Sequence, residues 1–318
     1  MTAPTVDDRP TTDQLDALYD ALRNWGRWGD DDELGALNFL TPERRAAAGA
    51  LVRTGVTVSL AHDFPVAPSP ETPSPAHHHM LASGDARDSN GIPGYEASRD
   101  YIGTEVHGMG ITHLDALCHM FVRGEMYNGR PAADVKSTGA LTNTVMSTAD
   151  GVAGRGVFLD IPRARGVDHL DGNTAITVAD LDRAEETQGS PVRSGDLLIV
   201  GGGRDVRKAA QGGRLDPFRD GLAGLHPQCL PWLHEREVAL LMGDGISDMT
   251  PGLGIADWPF PVHQVGITGM GLHLVDNVNV ARLGPECLAQ SRWEFLCVIA
   301  PLRIPGGTGC PVNPVAIF

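Results

Sequence analysis

The sequence predicts a single α/β domain with a mixed β-sheet and helices packed outside it, and three observations carry that expectation. From Gly156 onward, apolar runs of strand length alternate with helix signals, as a layered α/β fold requires. The 318 residues suffice for one large domain or two small ones, with a substantial core. No internal repeat, heptad seam or linker separates two independent units.

In chain order, Thr12 to Asn24 sets leucine and alanine at helical spacing and reads as an amphipathic helix. Residues 1–24 are therefore expected to form an N-terminal helical extension, and residues 25–318 the main domain. Thr41-Pro42-Glu43 supplies an N-cap, an N1 proline and a first-turn acid to an alanine-rich helix closed at Gly55. Phe64 to Pro75, rich in proline and serine, reads as an irregular loop running into His77-His78-His79. Three consecutive histidines suggest a metal site, but adjacent side chains diverge, so a solvated loop or the rim of a substrate pocket is the better reading. Val157 to Ile161 reads as a buried strand. Thr177 and Asp180 open a helix as a capping pair, and Gly189 ends it.

Asp196 to Val200 reads as the next strand, running into Gly201-Gly202-Gly203-Arg204. That run has neither the Gly-x-Gly-x-x-Gly spacing nor the Gly-Lys-Ser/Thr of a phosphate loop, so it reads as a turn. Glu237 to Met242 is a further buried strand, delivering Asp244 and Asp248 at its C-terminal end, where α/β folds present functional groups. Acids in a glycine-rich turn also commonly bond to backbone, and both readings stand. Glu294 to Pro301 reads as the last strand.

Composition bounds the partners. The net charge of −15 and the absence of a lysine-arginine cluster argue against nucleic acid and anionic membranes, leaving a small molecule as the expected partner. No apolar run approaches a membrane span, and the opening residues lack an apolar signal-peptide core. Five cysteines without paired spacing fit reduced thiols and a cytoplasmic protein.

The most informative segment is Glu105 to His119, which gathers His107, His113, Asp115 and His119 among apolar residues and glycines. Imidazole and carboxylate are the usual ligands of a catalytic divalent metal, and a spare histidine can move protons. Buried histidines bonded to a strand-end aspartate are the plainer alternative. If Met109 to Asp115 is extended, His113 and Asp115 share a face. If the chain then turns helical, Asp115 and His119 are neighbours at i and i+4. In a straight strand His107 would lie roughly 20 Å from His113. Only a bend, which Gly108 and Gly110 permit, brings it in.

Thr112-His-Leu-Asp-Ala-Leu-Cys-His119 resembles the signature of the cyclase family of metal-dependent amide and lactone hydrolases, which includes bacterial kynurenine formamidase and isatin hydrolase. Residues 24–38 resemble the opening of its longer bacterial members. The segments at 126–130, 195–199, 243–248 and 301–312 fit as well, so the likeness runs from about Trp25 to the C-terminus. The resemblance implies a swivelling β/β/α architecture, with a homodimer or homotetramer as its assembly. Carried over residue by residue, it makes His113 and Asp115 metal ligands and His119 the general base. The family's first ligand position falls on Met109, a thioether poorly suited to a hard or borderline ion. His107 is the candidate substitute. The family's distal histidine and glutamate fall on His263 and Asp276, the latter one methylene shorter.

The leading expectation is thus a hydrolase of cyclic or N-acyl amides or lactones, using zinc or manganese and His119. The alternatives are a metal-independent cyclase, dehydratase or isomerase using His119 with an aspartate, and a catalytically silent small-molecule binder. Unless His107 or His263 makes up for Met109, metal affinity should be low and Met109→His should raise it.

Overall fold

In the computed structural model, which describes residue 4, residues 6–85 and residues 91–318, the apolar runs become strands of one sheet. The longer strands among the described residues before the α/β half are β1 (Thr57–Ser59), β2 (His77–Ala82), β3 (Arg99–Gly103) and β4 (His113–Asp115). Four more are β5 (Val152–Asp160), β6 (Leu197–Gly201), β7 (Leu240–Gly243) and β8 (His273–Asp276). The chain closes with β9 (Glu294–Ile299), β10 (Gly309–Pro311) and β11 (Val315–Ile317). Among the described residues the main sheet has nine strands, in the order β1-β11-β9-β5-β6-β7-β8-β4-β10. Its middle, β5 to β8, is parallel, and both flanks are antiparallel. Every residue of β6 and β7 is buried, as expected where helices cover both faces of parallel strands.

The helices lie outside. α1 (Thr12–Leu22) opens with a capping box on Thr11 and Gln14, and α2 (Pro42–Gly49) starts at the Thr41 cap. The parallel strands are joined by α3 (Ile161–Arg165) and α4 (Val178–Gln188), then by α5 (Arg204–Ala210) and α6 (Cys229–Glu235). Between β7 and β8 runs α7 (Pro261–His263), which passes directly into a π-helix over Gln264–Met270; α8 (Leu283–Gln290) leads to β9. One apolar core joins Leu15, Leu18 and Tyr19 of α1 to Leu198, Leu241 and Phe295 of the sheet.

Four local expectations change. α2 stops at Gly49 rather than reaching Gly55, because the N–H groups of Thr54 and Gly55 bond the Phe318 carbonyl and pin the segment to the C-terminal strand. His77 to His79 are not loop but part of β2, in an exposed hairpin with β3, where His78 pairs with Asp100 at 2.9 Å. No helix follows Asp115; a single turn closes with His119 N–H on the Ala116 carbonyl. β9 is not the last strand, since β10 and β11 follow and occupy different places in the sheet. Both are three residues long, and Pro311 sits on an edge strand, where a missing N–H is tolerated.

Candidate metal centre

Strand register builds the base of the site. β4 pairs with β8 so that His113 faces Asp276 and Asp115 faces Leu274; on its other side Asp115 faces Gly309 of β10. Residues directly opposite in an antiparallel pair project from the same face, so His113, Asp115 and Asp276 converge while Leu114 and Val275 turn into the core. All three polar groups are buried. The His113 Nδ1–H donates to the Ile111 carbonyl at 2.8 Å, which leaves Nε2 facing inward, 3.5 Å from Asp115 Oδ1.

His119 reaches the same carboxylate from the turn after β4, its Nε2 3.9 Å from Asp115 Oδ1. His107 arrives by the bend. Gly108 has φ +143°, a conformation reserved in practice for glycine, and it doubles the chain back over β10. The His107 ring lies against Gly309, where an added Cβ would come within 2.7 Å of its Cε1. There the Nδ1–H donates to Asp115 Oδ1 at 2.8 Å, and Nε2 accepts from the Thr308 hydroxyl at 3.0 Å. The ring stacks on His119, with centroids 3.7 Å apart and planes at 10°.

The far side comes from the β7–β8 connection. Asp248 accepts the backbone N–H groups of Val262 and His263 at 2.8 and 3.0 Å, and the His263 Nδ1–H at 2.7 Å. That fixes the ring so that Nε2 points at Asp276 Oδ2, 3.2 Å away, and at Asp115 Oδ2, 3.6 Å away. Asp248 therefore bonds to backbone, as acids in such turns do, and also orients a site histidine. Asp244 differs. Its carboxylate accepts N–H groups from Gly202, Gly203 and Arg204, so the triple glycine is an anion nest filled by the protein's own acid.

The electrostatics follow from this crowding. Burial alone would push the Asp115 carboxyl up, but His113 and His119, with His107 and His263, hold it well below the usual carboxylate range. Burial pushes His119 down to about 4, against the pull of Asp115, so its imidazole is neutral at neutral pH. His263, enclosed by Asp276, Asp115 and Asp248, is held well above the ordinary histidine value despite burial. Burial raises Asp276.

These residues fit a divalent ion. Buried polar atoms are normally paired, yet Asp115 Oδ2 and Asp276 Oδ1 are buried with no hydrogen-bond partner. Two donor sets, His107-Asp115-His119 and His113-Asp115-Asp276, share Asp115, and within each the ligand atoms lie within 4.8 Å. Nitrogen and carboxylate oxygen suit zinc or manganese. Met109 lies elsewhere, lining a polar cleft of about 330 Å³ with Glu71, Thr72 and Lys208. Sequence reasoning missed Gly309, Thr308 and the orienting role of Asp248. The Gly306-Gly-Thr-Gly309 run was the available signal for the first two; for the third, the place of Asp248 after a buried strand pointed to function but not to the histidine it orients.

The chain belongs to the cyclase family: the profile described as "Putative cyclase" matches residues 53–247, more than half of the sequence. A crystal structure of "a novel cyclase" is 33% identical, with a TM-score of 0.84 over 94% of this chain and 99% of that one. Two further structures share the fold at lower identity. Isatin hydrolase A from Labrenzia aggregata, bound to benzyl benzoate, is 20% identical with TM-score 0.57 over 85% of this chain and 94% of its own. Isatin hydrolase A from Ralstonia solanacearum is 22% identical with TM-score 0.56 over 87% and 97%. No protein of curated function matches the sequence. No helix of the described residues is long and apolar enough to cross a membrane.

Proposed function

We propose that the protein is a metal-dependent hydrolase of cyclic or N-acyl amides or lactones. The observation that carries this reading is the orphaned pair of buried carboxylate oxygens, Asp115 Oδ2 and Asp276 Oδ1, among histidine nitrogens. His113, Asp115, Asp276 and His107 would hold the ion. A divalent cation bound there supplies Lewis acidity toward a carbonyl and acidifies water. His107 can serve because the Thr308 hydroxyl accepts as readily as it donates. With Nε2–H donating to Thr308, the Nδ1 lone pair is free to face the cation. The family's missing first ligand is then replaced from two residues upstream.

His119 takes the proton of the attacking water on its neutral imidazole and returns it to the departing nitrogen or oxygen. Its side chain is 24% exposed against 1% for Asp115, which places it on the accessible side of the cluster. His263, oriented by Asp248, presents Nε2 to Asp115 and Asp276 and keeps both carboxylates in place. The fold of the isatin hydrolases and the family membership support hydrolysis as the reaction.

Elemental analysis of the purified protein, followed by chelation and assay against a panel of N-acyl amides, cyclic amides and lactones, tests the reading. Stoichiometric zinc or manganese, with hydrolysis lost on chelation and restored by the ion, is the expected result. Hydrolysis that persists in metal-free protein would move the function to proton transfer by His119 alone, and no turnover of any carbonyl substrate would leave a binding protein.

A further inference from the structure

The segment that carries His107 and His113 has little regular structure of its own. Between Gly108 and Thr112 it forms no strand or helix, yet the carbonyls of Gly108, Met109 and Ile111 are taken up by two buried side chains. Asn277, fully buried and in the left-handed region at φ +56°, directly follows the site residue Asp276. Its amide donates to the carbonyl of Gly108 at 2.7 Å and to that of Ile111 at 3.1 Å. Its backbone carbonyl accepts from the Thr112 hydroxyl at 2.6 Å. Arg204, 8% exposed, donates to the Met109 carbonyl at 2.5 Å, to Asn277 Oδ1 at 2.6 Å and to the Asp244 carbonyl at 3.2 Å. Its remaining partner is Glu71 at 2.8 Å.

We propose that Arg204 and Asn277 are positioning residues for the metal centre, a buried brace that holds the 108–112 bend and so delivers His107 to Asp115. Three features make this more than ordinary satisfaction of buried groups. The brace ties the ends of three parallel strands to the bend, because Arg204 follows β6, Asp244 follows β7 and Asn277 follows β8. It acts on the carbonyls of Gly108 itself and of Met109 and Ile111 just after it, where φ +143° at the hinge has no regular structure to sustain it. The planar guanidinium fork reaches four acceptors in different directions, which a lysine ammonium on a flexible stem cannot reproduce. The triple glycine and Asp244 then have a purpose: the nest fixes the start of α5, from which Arg204 projects.

The inference rests on the metal reading of the site, and the test keeps the two apart. Arg204→Lys and Asn277→Asp are made in the full chain. Zn²⁺ affinity is measured by competition with a chelating dye, and the His107 ring is followed by ¹⁵N NMR in metal-free protein. At least a tenfold loss of Zn²⁺ affinity is expected in each variant. For Asn277→Asp the loss should appear despite the added negative charge, which by itself would favour the ion. The His107 signal, fixed in one tautomer by Asp115 and Thr308, should become tautomer-averaged in both variants.

The double variant Arg204→Lys/His107→Ala should bind Zn²⁺ no more than about threefold more weakly than His107→Ala alone, since a brace acting through His107 adds nothing once that ring is gone. Multiplicative losses, or unchanged affinity and an unchanged His107 signal in both single variants, would overturn the proposal. If no form binds Zn²⁺, the metal reading fails while the ring signal still decides whether the brace positions His107. Should Arg204→Lys fail to fold, Asn277→Asp carries both readouts.

Discussion

Asp115 accepts from or faces four histidines at once, and the roles of its neighbours follow from which of their nitrogens is already committed. His119 has an uncommitted lone pair and is neutral, so His119→Ala should lower kcat roughly a hundredfold to ten-thousandfold with little change in KM; near wild-type kcat in steady-state assays would remove it as the base. His263 is committed to Asp248 through Nδ1, so Asp248→Asn should release the ring, loosen the Asp115 and Asp276 carboxylates it keeps in place, and weaken Zn²⁺ binding by roughly tenfold to a hundredfold, as loss of an outer partner of ligating carboxylates does. His273 stands apart from these. It is fully buried, neither ring nitrogen has a partner, and burial pushes it down to about 4. As pH falls below 6.5 the unfolded chain takes a proton that the folded one refuses, so this group drains stability between pH 6.5 and 4. At about 1.4 kcal/mol per pKa unit, its share of the loss between pH 7 and pH 5 is about 2 kcal/mol. His273→Leu should lose about that much less over this range in urea titrations, and an unchanged acid loss would show that His273 is not the cause. At this scale the segment 107–119 is legible because its chemistry lies in one run, whereas Asp248 acquires its role only when a segment fourteen residues later folds back onto it.

Strands and turns decide whether those residues meet. The sequence announces β5 to β7 through apolar runs, because parallel strands buried on both faces need little else. β4 and β10 escape such reading: each has three residues, and their pairing is specified by register with β8 and with each other rather than by pattern. The expected helix after Asp115 is absent, yet a single turn still carries His119 to within 3.9 Å of Asp115. The π-helix is equally hidden. It places His263 at its entrance, and its widened turns leave carbonyls that the N-terminal motif closes: Trp25 Nε1–H on Thr268, Asn24 N–H on Gly269 and Asn24 Nδ2 on Met270. Gly309 is the position where element geometry can be tested most directly. A Cβ there would lie 2.7 Å from both His107 Cε1 and the Leu114 carbonyl, so Gly309→Ala must displace the ring, the strand pairing or both. Zn²⁺ affinity measured by calorimetry should fall to the level of His107→Ala. Wild-type affinity in Gly309→Ala would mean that His107 contributes nothing to the ion.

At the scale of the whole molecule, the boundary between residues 1–24 and the remainder is where sequence and packing bear on each other most. Composition and helical spacing make that stretch an extension, but Leu15, Leu18, Tyr19 and Leu22 are each 2% exposed or less and belong to the common core. Tyr19 packs on Gly269 of the π-helix and lies 5.7 Å from the Trp258 ring, whose indole N–H donates to Asp16 of α1 at 3.1 Å. Burying four such side chains stabilises by up to roughly 10 kcal/mol, taking about 1.5–3 kcal/mol for each. That is comparable with the about 5–15 kcal/mol by which a native domain outlasts its unfolded state. Removal of residues 1–24 also strips partners from the Gly269 and Met270 carbonyls behind His263. The chain 25–318 should therefore lack a cooperative thermal transition, while the milder Leu18→Ala should fold with a stability lower by about 2–5 kcal/mol. Differential scanning calorimetry of both proteins checks this. A truncated chain that melts cooperatively at the full-length temperature and binds Zn²⁺ equally well would show that residues 25–318 are sufficient for the fold and the site.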